Sequence, residues 1–473
     1  MQGLVAINDT LNRLVWGPGM LVLLLGVGIY FTVRTRGFQL THFFAMLQKT
    51  LGALFTRKAK ANPGALSPVQ AMTTALAATV GTGNIAGVAG AIALGGPGAV
   101  FWMWISALLG MATKYAEVAL AVRFRERAPD GGFRGGPMYY IRALGRGFKP
   151  LAAAFALLGA LAAFGIGNMV QANTAAEAVS FAVTALFPAT TGMEQPLRLT
   201  AGILAALAAG LALMGGAARI GRVTERLVPF MSALYALAAL VVVLLNLPAA
   251  GRALVDIVAS AFTPTAALGG AAGMGIQRAL QCGMERGMFS HEAGMGSAPI
   301  AHAGAQGADP DRQGLLGIFE VFADTIVICT LTALAILASG VSVPYGGVAG
   351  AELVIAAFGT AFGDGLAALM TAVCLALFAL STILSWSLYG ECCFAYLTGG
   401  RLTALYRAAF TGAVVLGAAM RLDVVWALSS TLNGLMAVPN LIALFPLSGV
   451  VAQISRGGLA KAGRKSEALP RLV

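Results

Sequence analysis

The sequence predicts an all-α integral membrane protein of about eleven transmembrane helices. Of its 473 residues 58% are hydrophobic and 11% charged, whereas a soluble domain carries about 25% charged residues. The apolar residues gather in stretches such as 16–33, 199–216 and 227–247, near the roughly 20 residues that cross a hydrocarbon core of about 30 Å. These stretches lack period-2 alternation. That selects helices over a closed barrel, the two structures that satisfy every backbone amide and carbonyl in lipid.

In chain order the spans are 14–33, 67–95, 97–122, 150–186, 199–216, 224–247, 274–303, 314–339, 364–397, 403–420 and 424–453. Segment 38–56 is amphipathic and belongs at the interface. The 350–362 run is short and stands beside Gly363 and Asp364, so it reads as an external loop helix. No cleavable signal peptide is expected, because the n-region before Trp16 holds one arginine and one aspartate and no small-residue cleavage site follows. Cys282, Cys329, Cys374, Cys392 and Cys393 fall in apolar segments without the spacing of a disulfide framework or zinc site.

The net charge of +12 is dispersed over short loops, which speaks against nucleic acid as a partner. Twenty-four of the lysines and arginines fall in alternate loops on one side and four on the other, with three inside spans. By the positive-inside rule this places the N-terminus outside and the C-terminus in the cytoplasm of a cell inner membrane. The expected organisation is an extra N-terminal transmembrane helix with the interfacial segment over 1–62, a ten-helix core over 63–455, and a basic cytoplasmic tail over 456–473. The core divides into halves of five helices, 63–250 and 251–455, with opposite orientation, the plan of several secondary transporters.

The first helix of each half carries an interruption. Thr79-Val-Gly-Thr-Gly-Asn-Ile-Ala-Gly87 lies in one and Gly283-Met-Glu-Arg-Gly-Met-Phe-Ser-His-Glu-Ala-Gly-Met-Gly-Ser297 in the other. Unwinding at Gly81, Gly83 and Gly87, beside Thr79, Thr82 and Asn84, would free amides for a carboxylate and carbonyls for a hard cation such as sodium. Close packing through small residues is the competing reading of those glycines. Glu285, Arg286, His291 and Glu292 crowd the second interruption, where an isolated charge costs about 3 kcal/mol. A structural network that fixes the break accounts for them, which leaves Phe289 and Ser290 as substrate contacts and His291 as a cap rather than a proton carrier. In 364–397, Ser381, Ser385 and Tyr389 recur at helical spacing, as do Thr382 and Trp386. That hydroxyl face could complete a sodium shell, or simply bond back to the preceding turn. Glu117, Glu320, Asp324 and Glu391 are further intramembrane acids, read as support. No HExxH, GxSxG, Walker A or paired-cysteine motif occurs, so no enzymatic chemistry is expected.

These segments resemble the alanine or glycine:cation symporter family over roughly residues 63–455. The most specific stretch is Gly95-Gly-Pro-Gly-Ala-Val-Phe-Trp-Met-Trp-Ile-Ser-Ala-Leu-Leu-Gly110, continuing into Met111-Ala-Thr-Lys-Tyr-Ala-Glu117. Gly135-Gly-Pro-Met-Tyr-Tyr140, Gly167-Asn-Met-Val-Gln171 and Glu292-Ala-Gly-Met-Gly-Ser-Ala-Pro299 are similar too. The resemblance implies the 5+5 inverted-repeat fold of the bacterial leucine transporter, with broken first and sixth core helices plus one extra helix. It further implies sodium-coupled symport of a small neutral amino acid, alanine or glycine, with no cofactor beyond sodium as co-substrate. The substrate would be held by Thr79, Gly81, Thr82, Gly83 and Asn84 together with Gln171, Phe289, Ser290 and Trp386. Sodium would be held at Thr79, Thr82, Ser381 and Thr382. His291 departs from the family, which usually has Asn there, and this keeps a proton-coupled symporter as the alternative. A channel is the reading from another class, disfavoured because the polar groups concentrate in a few interrupted segments instead of lining a continuous pore.

Overall fold

The computed structural model describes residues 2–55, 65–128, 131–263 and 275–461. Arg57, Lys58 and Lys60 of the predicted basic loop lie outside the described residues, as do residues 63, 64 and 274 and the tail from residue 462.

The N-terminus forms α1 (Gln2–Val15), followed by α2 (Pro18–Arg34). The predicted span 14–33 therefore begins instead at Pro18, and an unpredicted helix precedes it. Trp16-Gly-Pro separates the two, and proline is suited to the first position of α2 because the missing N–H had no helical partner to lose. The indole of Trp16 donates to the Ser430 carbonyl at 3.1 Å and Asn12 Nδ2 to Thr431 Oγ1 at 3.2 Å, which pins α1 to the body of the protein. The amphipathic segment expected at the interface contains α3 (Phe38–Thr41) and α4 (Phe43–Phe55).

Ser67 starts α5 (Pro68–Thr79) with a reciprocal cap: its hydroxyl accepts the Gln70 amide and the Gln70 side chain accepts the Ser67 amide. α5 stops at Thr79, one 3-10 turn (Thr82–Asn84) follows, and α6 (Ala86–Gly95) resumes. Next come α7 (Gly98–Arg123), an antiparallel pair β1 (Glu126–Arg127) and β2 (Phe133–Arg134), and α8 (Pro137–Ala143). A π-helical turn, Gly165–Met169, joins α9 (Lys149–Phe164) to α10 (Val170–Leu186) as one span. α11 (Glu194–Leu213), α12 (Gly216–Leu245) and α13 (Leu247–Ser260) complete the first half.

The second half opens with the other interrupted helix, α14 (Ile276–His291) and α15 (Ala298–Ala303). Asp309 caps α16 (Pro310–Val321), which a π-helical stretch, Phe322–Cys329, joins to α17 (Thr330–Ala338). Then follow α18 (Ala351–Phe362), α19 (Asp364–Thr398), α20 (Thr403–Ala419), α21 (Leu422–Leu444) and α22 (Ser448–Lys461).

Among the described residues seven helical stretches are long and apolar enough to cross a membrane, and α2, α6, α18 and α20 are shorter apolar helices. The predicted spans 67–95 and 274–303 are the two interrupted ones. Two expectations on extent are corrected. The span 424–453 breaks at residues 445–447 into α21 and α22, and α13 lies between the expected spans 224–247 and 274–303, where no helix is expected. At 14 residues, α13 is too short to signal a span.

α6 packs on α14 and α15 packs on α5, so each half of one interrupted helix meets the opposite half of the other. The two interrupted helices therefore run antiparallel, as inverted repeats require. α7 lies against both α14 and α15, while α19 lies against α5 and α10. Leu204, Leu207 and Leu211 of α11 and Leu237, Leu244 and Leu245 of α12 are exposed, giving these helices an apolar outer face. The five cysteines form no disulfide.

Gly167 in the first π-helical turn lets α19 approach so closely that a Cβ there would overlap the Trp386 side chain. Gly167→Ala should therefore lower stability by roughly 1–3 kcal/mol, read as a fall in thermal unfolding temperature of the purified protein in detergent. Gly26→Ala, with nothing within 4 Å of the added carbon, is the matched control and should leave that temperature unchanged or raised.

Candidate functional site

The first break exists because residues 80 and 81 are extended, with Val80 at ψ 92° and Gly81 at φ −142°. Backbone groups released there must find side-chain partners, since water is scarce at that depth. The Gly81 amide donates to Asn84 Oδ1 at 2.8 Å and the Thr82 amide to Gln171 Oε1 at 3.1 Å. Gln171 is held in turn by donating Nε2 to the Ile166 carbonyl at 2.9 Å, in the π-helical turn where ordinary helical pairing is interrupted. Asn84 Nδ2 donates to Asp324 Oδ1 at 2.6 Å. Asp324 Oδ2 also accepts from Ser290 Oγ and from Thr325 Oγ1, each at 2.7 Å. One carboxylate thus ties the first break to the second interrupted helix.

The second break turns at Glu292, whose φ of 57° is left-handed without glycine, and continues through Gly294 and Gly296 at φ 89° and 77°. Its side chain holds that turn on both sides: Ser297 Oγ donates to Oε2 at 2.6 Å and Trp386 Nε1 to Oε1 at 2.7 Å. The Gly294 amide donates to Glu117 Oε2 at 3.2 Å, Asn440 Nδ2 donates to the Gly294 carbonyl at 2.9 Å and also to Glu117 Oε1, and Tyr140 donates to Asn440 Oδ1. His291 accepts the Ala293 amide at Nδ1, 3.0 Å, and its Nε2 lies 2.9 Å from Ser106 Oγ. Both ring nitrogens are thus engaged in fixing the break.

The hydroxyls of α19 converge on the last turn of α5. Thr382 Oγ1 donates to the Ala77 carbonyl at 2.9 Å, and Ser381 Oγ reaches the same oxygen at 3.4 Å while donating to Phe378 O at 2.9 Å. A Cβ on Gly81 would stand 2.8 Å from Thr382 Oγ1 and 3.1 Å from Gln171 Oε1, which places the sodium and substrate candidates side by side. Thr82 Oγ1 is buried with no hydrogen-bond partner among the described residues. Thr79 is less apt, because its hydroxyl turns back to Leu76 O at 3.1 Å. Phe289 faces Gly83, 3.2 Å from where a Cβ would be, and stacks on Trp426 with ring centroids 4.6 Å apart. Thr79, Thr82, Ser381, Thr382, Gln171 and Phe289 are buried, and Trp426 is partly buried.

Two cavities flank this region. One of 740 Å³ is lined by Ala86 and Gly90 of α6, Glu285 and Arg286 of α14, and Trp426. The other, of 260 Å³, is lined by Leu66, by Ile300 and Ala301 of α15, and by Arg134 and Arg407 from the arginine-rich side. Arg286 lies over the Trp426 ring at 4.4 Å, and both side chains line the larger cavity.

Asp324, expected only as support, thus bonds both breaks, and Trp426 and Asn440 are site residues without a signal in the sequence. The i, i+4 spacing of Glu320 and Asp324 is a usable signal, since both acids bond the interrupted helices: Glu320 Oε1 lies 2.5 Å from His302 Nε2 in the second, and Asp324 bonds Ser290 of the second and Asn84 of the first. Trp426 and Asn440 come from α21, more than a hundred residues from their partners, with no local pattern to mark them.

The model of the family described as "Sodium:alanine symporter family" matches residues 1–467. A protein of Methanococcus maripaludis named "Sodium/alanine symporter AgcS" is 44% identical over 94% of this chain and 95% of its own length. A Bacillus subtilis protein named "Probable sodium/glutamine symporter GlnT" is 38% identical over 93% of this chain and 87% of its own length. Among solved structures, that of MhsT in complex with L-phenylalanine superposes with a TM-score of 0.57 at 15% identity, covering 85% of this chain and 99% of that one. The likeness establishes the leucine-transporter-type fold.

Asp324→Ala removes the carboxylate that accepts from Asn84, Ser290 and Thr325 and leaves Asn84 and Ser290 only their longer bonds, among them Asn84 to the Asp324 carbonyl at 3.2 Å and Ser290 to Cys329 Sγ at 3.3 Å, a loss of roughly 1–3 kcal/mol. Its unfolding temperature in detergent should fall well below that of Asp324→Asn, which keeps an acceptor; equal temperatures would mean that the carboxylate does not hold the breaks together.

Proposed function

The chain belongs to the sodium:alanine symporter family, and from that premise we propose that it carries alanine or glycine into the cell together with sodium by alternating access. That it is a sodium-coupled amino-acid symporter follows from the family and its relatives. The small substrate is the finer reading. The observation that carries it is the tight approach at the breaks: Phe289 stands against Gly83, and Gly81 lies beside Thr382 and Gln171, which leaves room for a substrate of few atoms.

In this reading the carboxylate meets the amides around Gly81, Thr82 and Gly83, with Asn84, Gln171, Phe289, Ser290 and Trp386 around the remainder. Sodium lies between the α5 carbonyls and the hydroxyls of Ser381 and Thr382, with Thr82 close by. Oxygen donors of this kind, neutral and few, suit a hard monovalent cation. Thr79 enters through its carbonyl, since its hydroxyl is engaged within the helix. The larger cavity faces outside and the smaller one, beside Arg134 and Arg407, faces the cytoplasm, in line with the positive-inside rule.

Uptake of labelled alanine, glycine and glutamine into proteoliposomes tests the assignment, under an inward sodium gradient and, separately, a proton gradient. A potential of about 100 mV gives roughly 2.3 kcal/mol per charge and a tenfold sodium gradient roughly 1.4 kcal/mol. With one ion per substrate, alanine or glycine should accumulate about a few hundredfold. Accumulation driven only by protons would move the coupling to the alternative reading. Preference for glutamine would overturn the small-substrate assignment.

Thr382→Ala should raise the sodium concentration for half-maximal uptake about tenfold or more, matching a loss of roughly 1–2 kcal/mol of ion binding, while leaving the order of substrate preference intact. An unchanged sodium dependence would remove Thr382 from the ion site.

A further inference from the structure

Lys114 stands in the second half of α7, fully buried, and its ammonium has no hydrogen-bond partner among the described residues. A buried ion left uncompensated costs several kcal/mol, so its charge must answer charges nearby. Neighbours on the same face of α7 fix where it lies. At Gly110, one turn before, a Cβ would stand 3.1 Å from both His291 Cε1 and Ala293 Cβ. Glu117, one turn after, accepts the Gly294 amide. From the opposite side Gly317 of α16 presses on the stem, where a Cβ would be 3.1 Å from Lys114 Cγ. The lysine therefore enters the wedge between α7, the second break and α16.

Three buried carboxylates share its electrostatic field: Glu117 on its own helix, Glu292 at the break and Asp324 in the π-helical stretch. His291 is also within reach, but its Nδ1 accepts the Ala293 amide and so bears no proton there. Glu320, one turn from Gly317, is engaged with His302. Lys114 is thus the fixed cation of the wedge.

We propose that Lys114 is a tethered counter-cation of the second break, whose ammonium balances Glu117, Glu292 and Asp324 and so takes the place of a further mobile cation. Resting on the symport reading above, this makes Lys114 the residue that limits how many cations accompany each substrate. It touches neither substrate nor sodium in that reading; it is a positioning residue, acting through the three carboxylates.

The test uses the purified full-length protein in detergent without amino acid, and reads two quantities per chain: labelled sodium bound at saturation, and protonated carboxylic acid by its infrared carbonyl band. Lys114→Met should raise the sum of the two by about one, because the missing charge is replaced from solution as sodium or a proton. Lys114→Arg, which keeps the charge, should raise neither. An unchanged sum in Lys114→Met, or a rise in Lys114→Arg, overturns the proposal. If Lys114→Met does not assemble, Lys114→Met/Glu117→Gln, which removes one charge of each sign, should recover folded yield; no recovery means that the lysine only fills space. Should the wild-type protein bind no sodium, the coupling assignment falls while the carbonyl band still decides the role of Lys114.

Discussion

The constraint on which the rest depends is that a helix broken inside a membrane must have its freed backbone groups bonded by something other than water. Two breaks mean two sets of orphaned amides and carbonyls, and most of the polar side chains buried at the centre serve them. Asn84, Gln171 and Asp324 serve the first; Glu117, His291, Glu292, Asn440 and Ser297 serve the second. Glu117, Glu292 and Asp324, improbable as acids in apolar segments, are thereby accounted for individually. Their desolvation is offset by bonds to donors that would otherwise be unpaired.

Helical content, the number of spans and the two interruptions were legible in the sequence because each leaves a local mark: long apolar runs, loop charge, and glycines clustered with polar residues. The extent of the last span was not, because residues 445–447 interrupt an apolar run without a charge to mark the end. At the site, Ser381, Thr382 and Trp386 were legible from periodicity, and Gln171 came only by resemblance, since a single glutamine in a long span carries no pattern. What converges from far along the chain left no mark: Trp426 against Phe289, Asn440 against Glu117, Asp324 against Asn84. The alternative sense of the glycines, close packing, also holds: Gly81 and Gly83 are tightly approached in the first break, and Gly167 most tightly of all against Trp386.

The π-helical turns have a common logic. Each occurs in a span that passes beside a break, and in each the interrupted pairing offers groups to it: the Ile166 carbonyl positions Gln171, while the Asp324 carbonyl and carboxylate both receive Asn84. A regular α-helix would have kept those carbonyls for its own amides. The neighbouring spans are thus locally irregular where the broken ones need partners, and regular elsewhere.

Trp386 joins two duties in one side chain, as it borders the region of the breaks and donates to Glu292, the residue that turns the second of them. A lineage that diversified its cargo by trimming this indole would loosen the hinge in the same step. Phe289, which packs by its ring against Trp426 and Gly83 without any polar tie of its own, has no such double employment. Adaptive change in substrate range thus has an easy route through position 289 and an obstructed one through position 386, an asymmetry in evolvability set by a single N–H.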